Sequence, residues 1–364
     1  MLVLTALILA IVIFTAAAAI LFVLRLRRVL RAHGHMLKRV TEGVQLLIED
    51  SSRQNETLLR LMRQQQEGGS QTHLYGKPSD VILDDTDTYE KLDQNWLSIR
   101  DTSGRHETTT AIEGDRTCTA VIVVVGQSNA ANHGAGRYVA KRRVDNFNIY
   151  DGRCYRAEDP LLGASGDGGN FATRLGDKLV DAGLFDRVIL APIAMGGTTV
   201  EQWADEGMFN RRIPVLVRRL YDAGLSADLI LWQQGEGNPG IGDVQGRQYR
   251  KNLLEVIGSF RKCGADAPLF VSLTTLCGGP HANADNIRAG QKGAVNPAVG
   301  IFQGPDTDTI GVEHRWDACH FDEVGLDLAA SLWLEVIVDF ARVTGRIAVK
   351  ASTGDGGRVP AYSK

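Results

Sequence analysis

Ser128 is the residue at which a chemical reading of this sequence begins. It stands in Gly126-Gln127-Ser128-Asn129, directly after the apolar run Ala120 to Val125, so a strand there would deliver a hydroxyl to its carboxyl end. A helix starting at that point would aim backbone N–H groups at a developing oxyanion, as attack on an ester carbonyl requires. A serine after a buried strand is more often a plain helix cap, and the Gly-x-Ser-x-Gly elbow is absent because position 130 is Ala. A base for the hydroxyl is offered far along the chain by Asp317-Ala318-Cys319-His320. In a helical turn, residues three apart share a face, so the Asp317 carboxylate reaches one nitrogen of His320 and fixes its tautomer. The other nitrogen is then free to take a proton from Ser128. An isolated Asp-x-x-His reads more readily as a capped helix start.

Two further patches add polar groups where such chemistry needs them. Met195-Gly196-Gly197-Thr198 follows a second apolar run, and glycines there leave N–H groups open to a bound oxygen. Trp232-Gln233-Gln234-Gly235-Glu236 follows a third and sets amide and carboxylate groups where a buried strand emerges, which is costly unless they find partners. The first patch alone is an ordinary turn, and a satisfied structural network would explain the second. Glu313, His314, Asp317 and His320 offer a competing metal-dependent deacetylase. That reading leaves Gly-Gln-Ser-Asn unexplained and lacks a His-Glu-x-x-His framework. Cys319 as nucleophile is weaker, since a side chain between Asp317 and His320 in a turn points away from both.

The elements that must position these residues are legible as alternating patterns. Apolar runs at Ala120 to Val125, Val188 to Ile193, Leu229 to Trp232 and Leu269 to Leu273 are too short for helices and read as buried strands. Amphipathic stretches lie between and after them, at Phe171 to Ala182, Ile213 to Ala223, Gln245 to Lys262, Asn283 to Lys292 and Leu326 to Val343. Such alternation predicts an α/β fold, a doubly wound parallel sheet with helices on both faces, over residues 117–345.

The remainder is organised differently. Leu2 to Leu24 carries no charge and is long enough, at ~1.5 Å per residue, to cross a ~30 Å hydrocarbon core, so residues 1–25 are expected to be a transmembrane helix. Arg25, Arg27, Arg28 and Arg31 follow at once, which by the positive-inside rule leaves the bulk of the chain in the cytoplasm, with the opposite orientation open. Over residues 26–67, Leu30, Leu37, Val40, Val44, Leu47, Leu58 and Leu61 keep one heptad frame, interrupted by His33, Ser51 and Gln54. A coiled-coil stalk that would make a homo-oligomer and an amphipathic helix on the membrane surface fit this equally. Residues 68–116 read as a polar linker and 346–364 as a flexible tail. A net charge of -3 argues against a nucleic-acid partner. Five cysteines without a Cys-x-x-Cys pair suit neither a disulfide framework nor a zinc site, so mostly reduced, buried thiols are expected.

Taken together and in this order, Gly-Gln-Ser-Asn-Ala, Ala-Met-Gly-Gly-Thr-Thr-Val-Glu-Gln-Trp, Trp-Gln-Gln-Gly-Glu-Gly-Asn and Asp-Ala-Cys-His-Phe-Asp-Glu-Val-Gly resemble the SGNH-hydrolase superfamily. The likeness is to its carbohydrate-esterase branch, which includes sialate O-acetylesterases and acetylxylan esterases, and runs from about Cys118 to Val343. It implies a three-layer α/β/α sandwich with a flavodoxin-like sheet, and an esterase acting on O-acetylated carbohydrate with no cofactor or metal. By that resemblance Ser128 attacks, His320 is base and then acid, and Asp317 orients the imidazolium. The oxyanion hole would come from the Ser128 amide, an amide at Gly196 or Gly197, and the Gln234 side chain. Gln127 and Asn129 join the substrate-binding set, and Glu236 holds its loop by hydrogen bonds. Gly237-Asn238 and Ala130 depart from the branch pattern at the pocket rim. A degenerate domain that binds or scaffolds carbohydrate without cleaving it is the alternative of a different class.

Overall fold

The computed structural model describes residues 76–83, 92, 100–112, 114–238, 243–278 and 285–345. The expected membrane span, stalk and tail lie outside these residues, and among the described residues no helix is long and apolar enough to cross a membrane.

Eight strands form one sheet. They are β1 (Glu107–Thr108), β2 (Thr119–Gly126), β3 (Val144–Phe147), β4 (Cys154–Arg156), β5 (Arg187–Pro192), β6 (Leu229–Gln233), β7 (Leu269–Leu273) and β8 (Ile301–Asp306), in the spatial order β1-β4-β3-β5-β2-β6-β7-β8. From β3 to β8 every pairing is parallel. The expectation of a parallel sheet therefore needs one correction, an antiparallel edge in which β4 pairs with β3 and β1 with β4. The strands β3, β4 and β8 escape a search for apolar runs because they carry Asp145, Asn146, Arg156, Gln303 and Pro305.

Strand β2 shows why the layers form. All its residues are buried, and successive side chains point to opposite faces. Val121, Val123 and Val125 enter one core with Ile213, Leu216 and Leu220 of α2 (Arg212–Asp222), Leu253, Val256 and Phe260 of α3 (Asp243–Lys262), and Ile287 of α4 (Asp285–Ala294). Ala120, Ile122 and Val124 enter the other, with Phe171 and Leu175 of α1 (Phe171–Asp181) and Leu326, Trp333 and Ile337 of α5 (Glu323–Thr344). A strand of pure Val, Ile and Ala is thus covered twice, and the three-layer sandwich follows.

The domain also reaches into the segment expected to be linker. Strand β1 lies within it, Leu92 is buried in the first core, and Arg187 donates to the carbonyls of Thr109 and Ala111. Arg218 of α2 likewise holds Ser79 and Val81 through their carbonyls. The apolar piece Val81 to Leu83 suggests such packing from sequence, and Val81 and Leu83 lie against the first core, whereas the bonds from Arg187 and Arg218 use main-chain oxygens, which leave no trace in side-chain type.

The chain passes from β2 to one side of the sheet through β3 to β4 and returns through β5, then continues on the other side from β6. The carboxyl end of β2 is therefore the topological switch point, where adjacent loops part and leave a crevice. Ser128 is two residues beyond it.

Candidate active site

Three of the four motifs leave neighbouring strands side by side. Gly126 pairs in register with Gln233, and the Met195 amide donates to the Gly126 carbonyl at 3.0 Å. Gly126 has φ +143°, and a Cβ there would lie 2.0 Å from the Gln233 carbonyl oxygen, so only glycine lets the chain turn off the sheet. It turns into a single 3-10 turn at Ser128–Ala130, closed by the Ala130 amide on the Gln127 carbonyl at 2.9 Å. The amides of Ser128 and Asn129 are the opening donors of that turn and have no acceptor among the described residues.

The fourth motif arrives from just before α5 as a tight loop, not the helical turn expected. The Trp316 amide bonds to the His320 carbonyl at 2.9 Å, and Arg315 pairs with Phe321 across the loop. Ala318, at φ +64°, takes the left-handed turn. Asp317 closes it by accepting from the amides of Cys319 at 3.0 Å and His320 at 2.7 Å. Its second oxygen meets His320 Nδ1 at 2.6 Å. The expected Asp317–His320 pairing is present, made by an aspartate-capped turn. Burial pushes the Asp317 carboxyl up, but the bonds from His320 and Cys319 outweigh it and hold the group below the ordinary aspartate value.

Asn129 joins the two halves. Its Nδ2 donates to the Cys319 carbonyl at 3.2 Å and to Glu236 Oε1 at 2.8 Å, which occupies both its protons. Arg315 donates to the same Cys319 carbonyl at 2.6 Å and to the carbonyls of Ile310 and Thr307. Glu236 Oε1 also accepts from Thr274 at 2.9 Å, so Glu236 does hold its loop. Ser128 and His320 each stand next to a partner of the Asn129–Cys319 bond. No hydrogen bond joins the Ser128 hydroxyl to the His320 ring among the described residues.

The expected oxyanion donors are reassigned by their partners. The Gly196 amide donates to Ser165 Oγ at 2.7 Å and is not free for a substrate oxygen. Position 196 must still be glycine, since a Cβ there would lie 2.5 Å from His133 Nε2. Gln234 is fully buried, and its Nε2 faces Asn238 Oδ1 at 2.7 Å, the Thr198 carbonyl at 3.0 Å and Gln127 Oε1 at 3.2 Å. Two protons facing three acceptors leave nothing to offer an oxyanion. Gln127 takes the opposite form. Its Oε1 also accepts from the Gly237 amide at 2.7 Å, while its Nε2 has no partner among the described residues. Asn238, a departure from the branch pattern, is absorbed into this scaffold by bonds to Gln234, Val200 and Glu201.

Sequence reasoning missed a histidine. The His133 ring lies parallel to His320, with centroids 5.5 Å apart and planes at 25°, and Trp316 stacks on the same imidazole at 6.1 Å and 26°. His133 Nε2 meets Ser165 Oγ at 3.1 Å, the hydroxyl that accepts from Gly196. Burial lowers the His133 pKa, with a smaller contribution from His320. No spacing rule connects positions 133, 165, 196 and 320; only the fold does.

The cysteine expectation is also corrected. Cys277 and Cys319 form a disulfide across 42 residues, leaving Cys118, Cys154 and Cys263 free. It ties the Asp317–His320 loop to the loop after β7, two segments with no sequence relation until the sheet aligns their ends. Cys319 is thereby no nucleophile. Of the residues that would make a metal site, His314 has its Nδ1 3.8 Å from Asp322 Oδ2.

Residues 118–332 match the family model described as carbohydrate esterase, sialic acid-specific acetylesterase. No curated protein matches the chain. Among solved structures, a protein from Arabidopsis thaliana is 20% identical, with 61% of this chain and 99% of that one covered at a TM-score of 0.48. NanS is 14% identical, with 62% and 98% covered at 0.43. A carbohydrate acetylesterase from Xanthomonas citri is 14% identical, with 59% and 55% covered at 0.39.

Proposed function

The chain belongs to the carbohydrate esterase family of sialic acid-specific acetylesterases, and from that premise we propose that it cleaves O-acetyl groups from carbohydrate through Ser128, His320 and Asp317. The 2.6 Å contact between Asp317 and His320 Nδ1 carries this reading. It fixes the ring so that Nε2 faces away from the carboxylate as the proton acceptor. Ser128 Oγ adds to the acetyl carbonyl as its proton passes to His320 Nε2, and Asp317 stabilises the imidazolium so formed. The tetrahedral oxyanion is held by the amides of Ser128 and Gly197 and by Gln127 Nε2, in place of Gly196 and Gln234. Collapse expels the sugar hydroxyl, which takes the proton from His320 and leaves an acetyl-Ser128 ester. Water, deprotonated by the same imidazole, then releases acetate. In enzymes without substrate the serine–histidine bond is often long, so its absence here suits a site that tightens on binding.

The test is acetate release from O-acetylated N-acetylneuraminic acid and from p-nitrophenyl acetate by the full chain in detergent. Ser128→Ala is expected to lose at least about a hundredfold in kcat on both. Undiminished turnover by that variant would remove the mechanism, and a binding or scaffolding role without cleavage would take its place.

The anchor belongs to the same proposal: a membrane helix over residues 2–24, a stalk that assembles copies, and a catalytic domain facing the cytoplasm on account of Arg25, Arg27, Arg28 and Arg31. One observation favours the opposite face, the Cys277–Cys319 disulfide, which belongs to an oxidising compartment. Protease protection in intact cells separates the two.

A further inference from the structure

We propose that the exposed indole of Trp316 is the platform on which the substrate's sugar ring stacks, which makes it the specificity-determining residue of this site; the inference rests on the esterase reading above. Trp316 is 60% exposed, whereas the other tryptophans among the described residues, Trp203, Trp232 and Trp333, are fully buried. Exposure of an indole is unfavourable, because its large apolar faces lose the contacts that burial provides.

This one is also held still. Its Nε1 donates to the His133 carbonyl at 3.2 Å, and its own amide bonds to the His320 carbonyl at 2.9 Å. Its plane lies 26° from that of His320, with 6.1 Å between centroids. A face-to-face stack would bring ring atoms to about 3.5–4.0 Å, so the two rings are offset and the indole extends beyond the imidazole into solvent. A fixed aromatic shelf next to the catalytic ring is thus present before any ligand binds. Little side-chain entropy is lost when it is covered, as a recognition surface requires.

The chemistry of the shelf selects its occupant. The face of an indole is the negative side of its quadrupole. One face of a pyranose is a plane of C–H groups with weakly positive hydrogens, whereas its edge is a ring of hydroxyls that stay in water. A pyranose laid on Trp316 keeps those edges solvated and presents an ester arm toward the imidazole one ring away. A small acyl ester such as p-nitrophenyl acetate reaches Ser128 without a sugar and has no need of the shelf.

The experiment separates binding from chemistry. Glucose pentaacetate is titrated into Ser128→Ala and into the same chain carrying Trp316→Phe or Trp316→Leu, read by calorimetry. Stacking of this size corresponds to about tenfold in affinity, so Leu is expected to weaken binding about tenfold while Phe, which keeps a π face, stays within about threefold. With Ser128 intact, Trp316→Leu should raise KM for the sugar acetate by the same factor and leave KM for p-nitrophenyl acetate within about twofold. Equal binding by the Phe and Leu variants and their parent would overturn the platform. So would an equal loss of kcat on both esters, which would make Trp316 a prop for His320. A wild-type chain that hydrolyses neither ester would sink the esterase reading, and the titration would still decide the platform.

Discussion

His133 and His320 lie parallel at 5.5 Å, one ring carried by the loop after β2 and the other by the loop before α5. The outer ring is held through Ser165 Oγ, which receives the Gly196 amide and has one proton left to give to His133 Nε2. That arrangement suits a neutral imidazole with its hydrogen on Nδ1. Burial, and less strongly the neighbouring His320, lower its pKa, with Asp167 and Asp317 acting in the opposite sense.

His133 therefore supports His320 without competing for its proton. His133→Gln keeps a polar group for Ser165 and removes the stacked ring. It should lower kcat about tenfold on both esters with KM within about twofold. Stopped assays across a substrate series check the split. Because the folded pKa lies below the unfolded one, the unfolded chain binds the proton first, and stability from this group falls as pH drops through the ordinary histidine range.

Asp317 acts in the same sense at lower pH. Its folded pKa is held below the unfolded value, so its contribution is present above the ordinary aspartate range and is lost as pH falls through the lowered value. Asp317→Asn is expected to cost at least about a hundredfold in kcat at neutral pH. The Tm difference between this variant and the parent should close in acid, which thermal scans at stepped pH would read.

Gly196→Ala puts a methyl 2.5 Å from His133 Nε2. The clash should cost about 1–3 kcal/mol, and His133→Ala in the same chain should recover most of it, because the two positions are in contact. Urea unfolding of the two single variants and the double variant measures that coupling.

The thiols should sort themselves by chemistry. Burial, with Asp145 adding to it, pushes Cys154 up to about 12, and burial pushes Cys263 up to about 11. In native protein at mild pH, iodoacetamide should label Cys118 well before either. Cys277 and Cys319 should label only after reduction, which peptide mapping would show. The same mapping on acid-quenched cells reports the compartment, since an oxidised pair in living cells contradicts a cytoplasmic domain.

Much of this architecture could be read from side-chain type. The runs at β2, β5, β6 and β7 are covered on both faces and so are apolar throughout, and the five helices have amphipathic stripes that reveal them. Ser128, Asp317 and His320 could be singled out because one stands after a strand and the others are three apart, and the structure pairs Asp317 with His320. Gly196 and Gln234 were placed in the right loops, yet their bonding capacity depends on Ser165, Asn238 and Thr198, which no local spacing predicts. His133, Arg315 and the Cys277–Cys319 bond were invisible for the same reason. Strand β8 was missed because an edge strand need be apolar on only part of its surface, and Ile301–Asp306 is buried only at Ile301, Gly304 and Pro305.

The Asn129–Cys319 bond spans 190 residues. A ribosome that has made Ser128 must add every later strand and the final loop before His320 exists. Under the proposed mechanism the nascent chain is silent for most of its synthesis, and its first turnover marks closure of the last long-range contact, the kind that forms most slowly.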